Sequence, residues 1–121
     1  MRVLVVDGAN VVGSRADGWW RDRPGAAQRL HDAIAAAELD HDLVVLVLEG
    51  KATRGRPPGD DGALRTVHAP ASGDDAIVEQ VRERAGQDEV LVVTADRGLR
   101  DRAVAAGASV VGPSWLLDRI S

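Results

Sequence analysis

Four aspartates stand where short apolar runs stop. Asp7 closes Val3-Leu4-Val5-Val6, and Asp96 follows Val90-Leu91-Val92-Val93 within three residues. Asp74 and Asp75 precede a helical pattern. If these runs are parallel strands, their carboxyl ends share one edge of a sheet, where ligands of open α/β proteins bind. Carboxylates converging there repel one another unless a proton or a cation lies between them. A divalent ion is the simplest resolution, and it directs attention to phosphate chemistry.

Three local motifs carry this reading. In Asp7-Gly8-Ala9-Asn10, Gly8 allows a sharp turn and a close backbone approach, Asp7 offers a ligand oxygen and Asn10 an uncharged amide. The bland alternative is a strand-ending Asp-Gly turn. In Ser72-Gly73-Asp74-Asp75, Asp75 is the first choice as ligand and Asp74 the second. The alternative here is a capping box, with Ser72 capping and acids set against the helix dipole. In Thr94-Ala95-Asp96-Arg97-Gly98-Leu99-Arg100-Asp101, Asp96 either joins the pocket or caps a helix. Asp101 either reaches the same pocket or pairs with Arg97 on the helix surface, and Thr94 can hydrogen-bond a carboxylate. Glu49, at the end of Leu43-Val44-Val45-Leu46-Val47-Leu48, is expected on the same edge as a ligand, a base or a solvated terminus.

The elements that must position these groups follow from the hydrophobic pattern. Residues 2–7 and 43–48 are short β-branched or aliphatic runs, as in strands buried on both faces. Between them Pro24 suits a first helical turn, and Ala27, Leu30, Ile34 and Ala37 form a helical stripe. Residues 64–68, 89–94 and 110–111 are three further strand candidates. Helices are expected from about Asp75, with Ile77, Val78, Val81 and Ala85 on one face, from Arg97 to Ala106, and from Pro113 to Ile120. Residues 8–23 and 50–62 are read as loops, the second long, polar and mobile. The expected fold is a three-layer α/β/α sandwich with a mainly parallel central sheet of about five strands, forming one domain over residues 1–121.

Composition narrows the chemistry. The 121 residues contain no cysteine, which excludes disulfides, thiolate metal sites and a cysteine nucleophile. The three histidines, His31, His41 and His68, have no spacing suited to zinc. Phe and Tyr are absent and Trp occurs three times, so the core must be aliphatic. Trp115 is assigned to that core. Trp19-Trp20 is read as a cover over the sheet edge or a helix, with stacking on single-stranded bases as the other use. A net charge of −4 argues against a broad nucleic-acid-gripping surface. Lys51, Arg54 and Arg56 nevertheless form a local basic segment. The absence of a leader pattern and of any apolar run near ~18 residues leads to an expectation of a cytoplasmic protein.

Taken in order, the motifs resemble the NYN branch of the PIN-like nuclease superfamily, and within it the small bacterial YacP-like NYN proteins. Val6-Asp7-Gly8-Ala9-Asn10 is similar to the first-strand D-G-x-N. Gly73-Asp74-Asp75-Ala76-Ile77-Val78-Glu79 resembles the mid-chain acidic helix start. Val93-Thr94-Ala95-Asp96 followed by Arg100-Asp101 resembles S/T-x-D-x-x-x-R-D. The resemblance implies a PIN-like fold and a Mg2+- or Mn2+-dependent endoribonuclease. Its metal acids would be Asp7, Asp75 and Asp96, assisted by Asn10, Asp74 and Asp101. Arg97, Arg100, Lys51, Arg54 and Arg56 are the expected substrate-binding cations. RNA is the expected partner, its class (mRNA, tRNA or rRNA) left open, with the ribosome and a homodimer as further candidates and no membrane. The chain departs from the subgroup in carrying Glu49-Gly50 where Asp-Ala often follows strand two, and in its short length. The alternative reading is a catalytically inactive PIN-like module that binds RNA or protein.

Overall fold

The computed structural model describes residues 1–121. Six strands form one sheet: β1 (Arg2–Asp7), β2 (Leu43–Leu48), β3 (Gly59–Asp61), β4 (Leu64–His68), β5 (Glu89–Val93) and β6 (Ser109–Val111). Their spatial order is β3-β4-β2-β1-β5-β6, parallel throughout except for β3, which runs antiparallel to β4. Five helices complete the fold: α1 (Gly8–Gly13), α2 (Arg23–Ala36), α3 (Gly73–Arg84), α4 (Arg97–Ala105) and α5 (Pro113–Ile120). The expected sandwich is present, with a sixth, antiparallel edge strand added.

Alternation along the strands creates two separate cores. Val3 and Val5 of β1, with Val45 and Val47 of β2, face Ile77, Val78 and Val81 of α3 and Leu99 of α4. Leu4 and Val6, with Leu46 and Leu48, face Ala27, Leu30 and Ile34 of α2, Val11 of α1 and Leu116 of α5. Both faces of the central strands are therefore dry, which is why their sequence reads as unbroken aliphatic runs. Burial of this apolar surface, at about 25 cal/mol per Å2, is the main force holding the layers together. Leu116 is the fully buried residue of α5, while Trp115 packs at the margin of the core.

Two segments read as loops are more ordered than their composition suggests. Within 8–23, α1 starts directly after β1, with Asp7 as its N-cap, and Trp19–Arg21 form a short 3-10 turn. Within 50–62, Gly50–Gly55 form another 3-10 turn and Gly59–Asp61 form β3. Gly55 lies so close to the Pro24 carbonyl that a Cβ would not fit between them. The segment is thus docked on α2 rather than free. Polarity and glycine content mark a chain that lacks its own core, but they do not reveal docking against a neighbour.

Candidate active site

The parallel strands β1, β2 and β5 deliver Asp7, Glu49 and Asp96 to the same sheet edge, and α3 begins beside them. Asp7 is the buried member, with 5% of its surface exposed. Its Oδ1 accepts from the Asn10 amide at 3.2 Å and its Oδ2 accepts from the Thr94 hydroxyl at 2.9 Å. Thr94 Oγ1 in turn accepts from the Asp96 amide at 3.1 Å, and Asn10 Oδ1 accepts from the Ala95 amide at 2.7 Å. The first and third motifs are therefore clasped together by side chains as well as by strand pairing. Asp96 caps α4 through Oδ1 and the Leu99 amide at 2.9 Å.

Gly8 makes the turn possible. A Cβ there would stand 2.7 Å from the Val47 carbonyl oxygen, so α1 can leave β1 this close to β2 only with glycine. Gly73 has the same function at α3. Glu49 Oε2 accepts from the Gly73 amide at 3.0 Å, and a Cβ on Gly73 would meet Oε1 at 2.9 Å. Of the roles considered for Glu49, the structure adds a capping one: its carboxylate holds the start of α3 across 24 residues of sequence.

Adjacent acids at the start of α3 point to different partners. Asp75 is largely exposed and bonds Arg102 of α4 at 2.9 Å. Asp74 is half-buried and makes no ion pair; its carboxyl is pushed above the ordinary value, first by burial and then by the charges of Asp96 and Glu49. Asp75, the first choice as ligand, thus faces Arg102, whereas Asp74 is the one influenced by Asp96 and Glu49. Sequence spacing does not distinguish them, since Ser72 caps α3 through the Asp75 amide whichever way the carboxylates point. Arg102, the cation that draws Asp75 away, was not anticipated.

Asp7 shows the same electrostatic pattern. Burial raises its carboxyl, the Thr94 and Asn10 donors oppose this, and the charges of Asp74 and Glu49 add to the rise. None of Asp7, Glu49, Asp74 and Asp96 has an arginine or lysine partner in an ion pair. Four carboxylates outside any ion pair offer the hard oxygen donors that a divalent cation takes. They do not form a closed cage, because no three acids are grouped tightly enough to ligate an ion directly.

Asp101 lies exposed on α4 and joins neither this group nor Arg97. Arg97 and Arg100 are exposed at the start of α4 and are free of ion pairs. Lys51 and Arg54 are exposed on the 3-10 turn after Glu49. Arg56 differs from them: its guanidinium lies 3.6 Å from Asp61, and its carbonyl accepts from His68 Nε2 at 2.6 Å. It belongs to the scaffold of the β3–β4 hairpin. Trp19 is half-buried beside Gly8 and Glu49, while Trp20 is 55% exposed. No helix is long and apolar enough to cross a membrane.

No protein-family model matches the chain. Over 83 residues it is 36% identical to the UPF0178 protein BRADO3147 of Bradyrhizobium sp. (strain ORS 278), a match covering 69% of this chain and 48% of that protein. The chain thus accounts for about half the length of this curated relative. Among solved structures it superimposes on the crystal structure of a mutant of Rae1 (YacP) from Bacillus subtilis with a TM-score of 0.69. That match covers 99% of this chain and 75% of the other at 18% sequence identity.

Proposed function

With the PIN-like fold shared with Rae1 (YacP) as the premise, we propose that this chain is a Mg2+- or Mn2+-dependent endoribonuclease of the NYN type, hydrolysing RNA phosphodiester bonds at the acidic sheet edge. One observation carries the reading: Asp7, Glu49, Asp74 and Asp96 come from four places in the sequence to share one edge, and none of them is held in an ion pair. The preference for RNA rests on the resemblance of the three motifs to NYN nucleases.

Asp7, Asp74 and Asp96 would hold the cation, with Asn10 assisting. Bound there, a divalent ion supplies a water of lowered pKa and offsets charge developing on the phosphate. Asp7 is the fixed point of the group, since both its oxygens are held by donors on α1 and on the turn after β5. Asn10 ties α1 to the turn after β5 without adding a negative charge that would oppose the phosphate. Arg97 and Arg100 offer guanidinium groups to a neighbouring phosphate. Lys51 and Arg54 draw the polyanion toward an otherwise acidic edge. Asp75 and Arg56 are assigned to structural ion pairs.

The second reading, a silent RNA- or protein-binding module, is favoured by a different observation. Asp7 and Asp96 each give an oxygen to a helix cap, and no three acids form a chelating group. Purified protein incubated with structured and single-stranded RNAs separates the two. Cutting with manganese or magnesium that a chelator abolishes, and that Asp7→Asn lowers by orders of magnitude, supports the enzyme. Retention of RNA without cutting in the presence of metal supports the module.

A further inference from the structure

Beside the acidic edge lies a cleft of about 330 Å3 that the proposed hydrolysis does not use. Gly8 and Glu49 form the wall it shares with the acids. Val12, Ala27, Leu48 and Ala52 make the rest of its surface largely apolar, and Trp19 with Arg23 closes the far side. The Arg23 guanidinium stands over the Trp19 ring, 5.4 Å from its centroid, and both groups line the cleft. Trp20 meets Trp19 edge-on, with centroids 6.1 Å apart.

The chemistry of these walls selects an occupant. A phosphate is disfavoured, because Arg23 is the only cation lining the cleft and Glu49 contributes an opposing charge. A flat, partly polar ring is favoured. Indole and guanidinium groups stack on nucleobases, and apolar walls cover the ring's remaining surface. The volume falls in the range of small-ligand sites and admits one base with its sugar. Continuity with the acidic edge through Gly8 and Glu49 means that a base seated here belongs to a nucleotide adjoining a phosphate held at that edge.

We propose that this Trp19–Arg23 cleft is a nucleobase subsite that accepts one unpaired base of the polynucleotide engaged at the acidic edge. The proposal rests on the nucleic-acid reading above and deepens it: the substrate must offer a base out of its stack, so single-stranded or bulged RNA is engaged and uninterrupted duplex is not.

The test uses 2′-O-methyl RNA octamers, which report binding without cleavage, followed by intrinsic tryptophan fluorescence. The comparison covers a single strand, its duplex, and single strands with one abasic position moved along the sequence. Trp19→Ala should weaken single-strand binding by about ten-fold, the order of one lost stacking contact. Trp19→Phe should restore much of it. Trp19 packs against Gly13 of α1, so a loss of binding in Trp19→Ala has to be separated from unfolding. Ala52→Trp, which fills the cleft from the 3-10 turn, supplies the independent variant and should weaken binding similarly, with thermal unfolding confirming a folded protein. One abasic position should cost as much as Trp19→Ala and add nothing to it. Binding unchanged in a folded Ala52→Trp protein, equal affinity for the duplex, or indifference to every abasic position would overturn the subsite. So would a cleft that takes up only peptides or non-nucleotide aromatics. Failure of the nuclease reading looks different: Trp19-dependent binding would persist while ordinary RNA stays uncut with metal. Metal-dependent cutting insensitive to Trp19→Ala and Ala52→Trp would discard the subsite alone.

Discussion

The Thr94 hydroxyl donates a 2.9 Å hydrogen bond to Oδ2 of Asp7 across 87 residues of sequence, with both side chains buried. This contact, with Asn10 Oδ1 accepting from the Ala95 amide, fixes the carboxylate on which the acidic edge is built. A buried carboxylate depends on such donors, because each one lost leaves charge in a medium that solvates it poorly.

Replacing Thr94 by Val keeps the shape and deletes the donor. Urea denaturation should show a loss of about 1–3 kcal/mol, and Thr94→Ser should recover most of it. Without the donor, the Asp7 carboxyl should rise further, which carbon-detected NMR titration of the carboxylate would register. An unchanged titration would mean that the hydroxyl does not stabilise the charged form.

Asp7 and Asp74 both have carboxyls raised above their ordinary value in the folded protein, in each case first by burial. The folded state therefore binds more protons than the unfolded state between the unfolded and the folded pKa. Stability must fall as pH rises through that window, from the ordinary carboxylate range upward. In chelator, the unfolding temperature should decline across it. Asp7→Asn should flatten the decline, and magnesium should counteract it at the upper end. A curve that rises through the same interval in all three samples contradicts the assignment.

Asp74→Asn and Asp75→Asn should behave differently although the residues are adjacent. The first removes a carboxylate from the acidic edge and should reduce metal-dependent cleavage by orders of magnitude. The second breaks an exposed pair with Arg102, costing about 0–1 kcal/mol and leaving turnover close to wild type. Parallel kinetics on both variants decide this, and the reverse ranking would restore Asp75 as the ligand.

Gly8→Ala should be more damaging than Gly73→Ala. The added methyl meets the Val47 carbonyl of a central strand in the first case and the end of a Glu49 side chain in the second. Overpacking against backbone should cost about 1–3 kcal/mol or more. The softer obstacle should cost less while still releasing the Glu49 cap. Chemical denaturation of the two variants side by side gives the ranking.

Neither tryptophan nor histidine chemistry was fully legible from residue type. Trp19 and Trp20 are neighbours in sequence, yet one lines a cleft and the other is exposed. His68 serves the β3–β4 hairpin by bonding the Arg56 carbonyl. That bond, with the Arg56–Asp61 pair, turns a segment of loop-like composition into part of the scaffold.

The sequence alone determined the layers and the edge. Aliphatic runs of five or six residues separated by helical stripes allow a parallel sheet covered on both faces, and parallel strands place their terminal acids together. Those are consequences of periodicity, which is local and written in residue type. Tertiary structure decided which acid faces inward, that Glu49 holds α3, that residues 50–62 dock, and that a cleft opens between Trp19 and Glu49. Each depends on where a side chain meets a partner tens of residues away. A pairing such as Asp75 with Arg102 is one of many that the same composition permits until packing brings two elements into register.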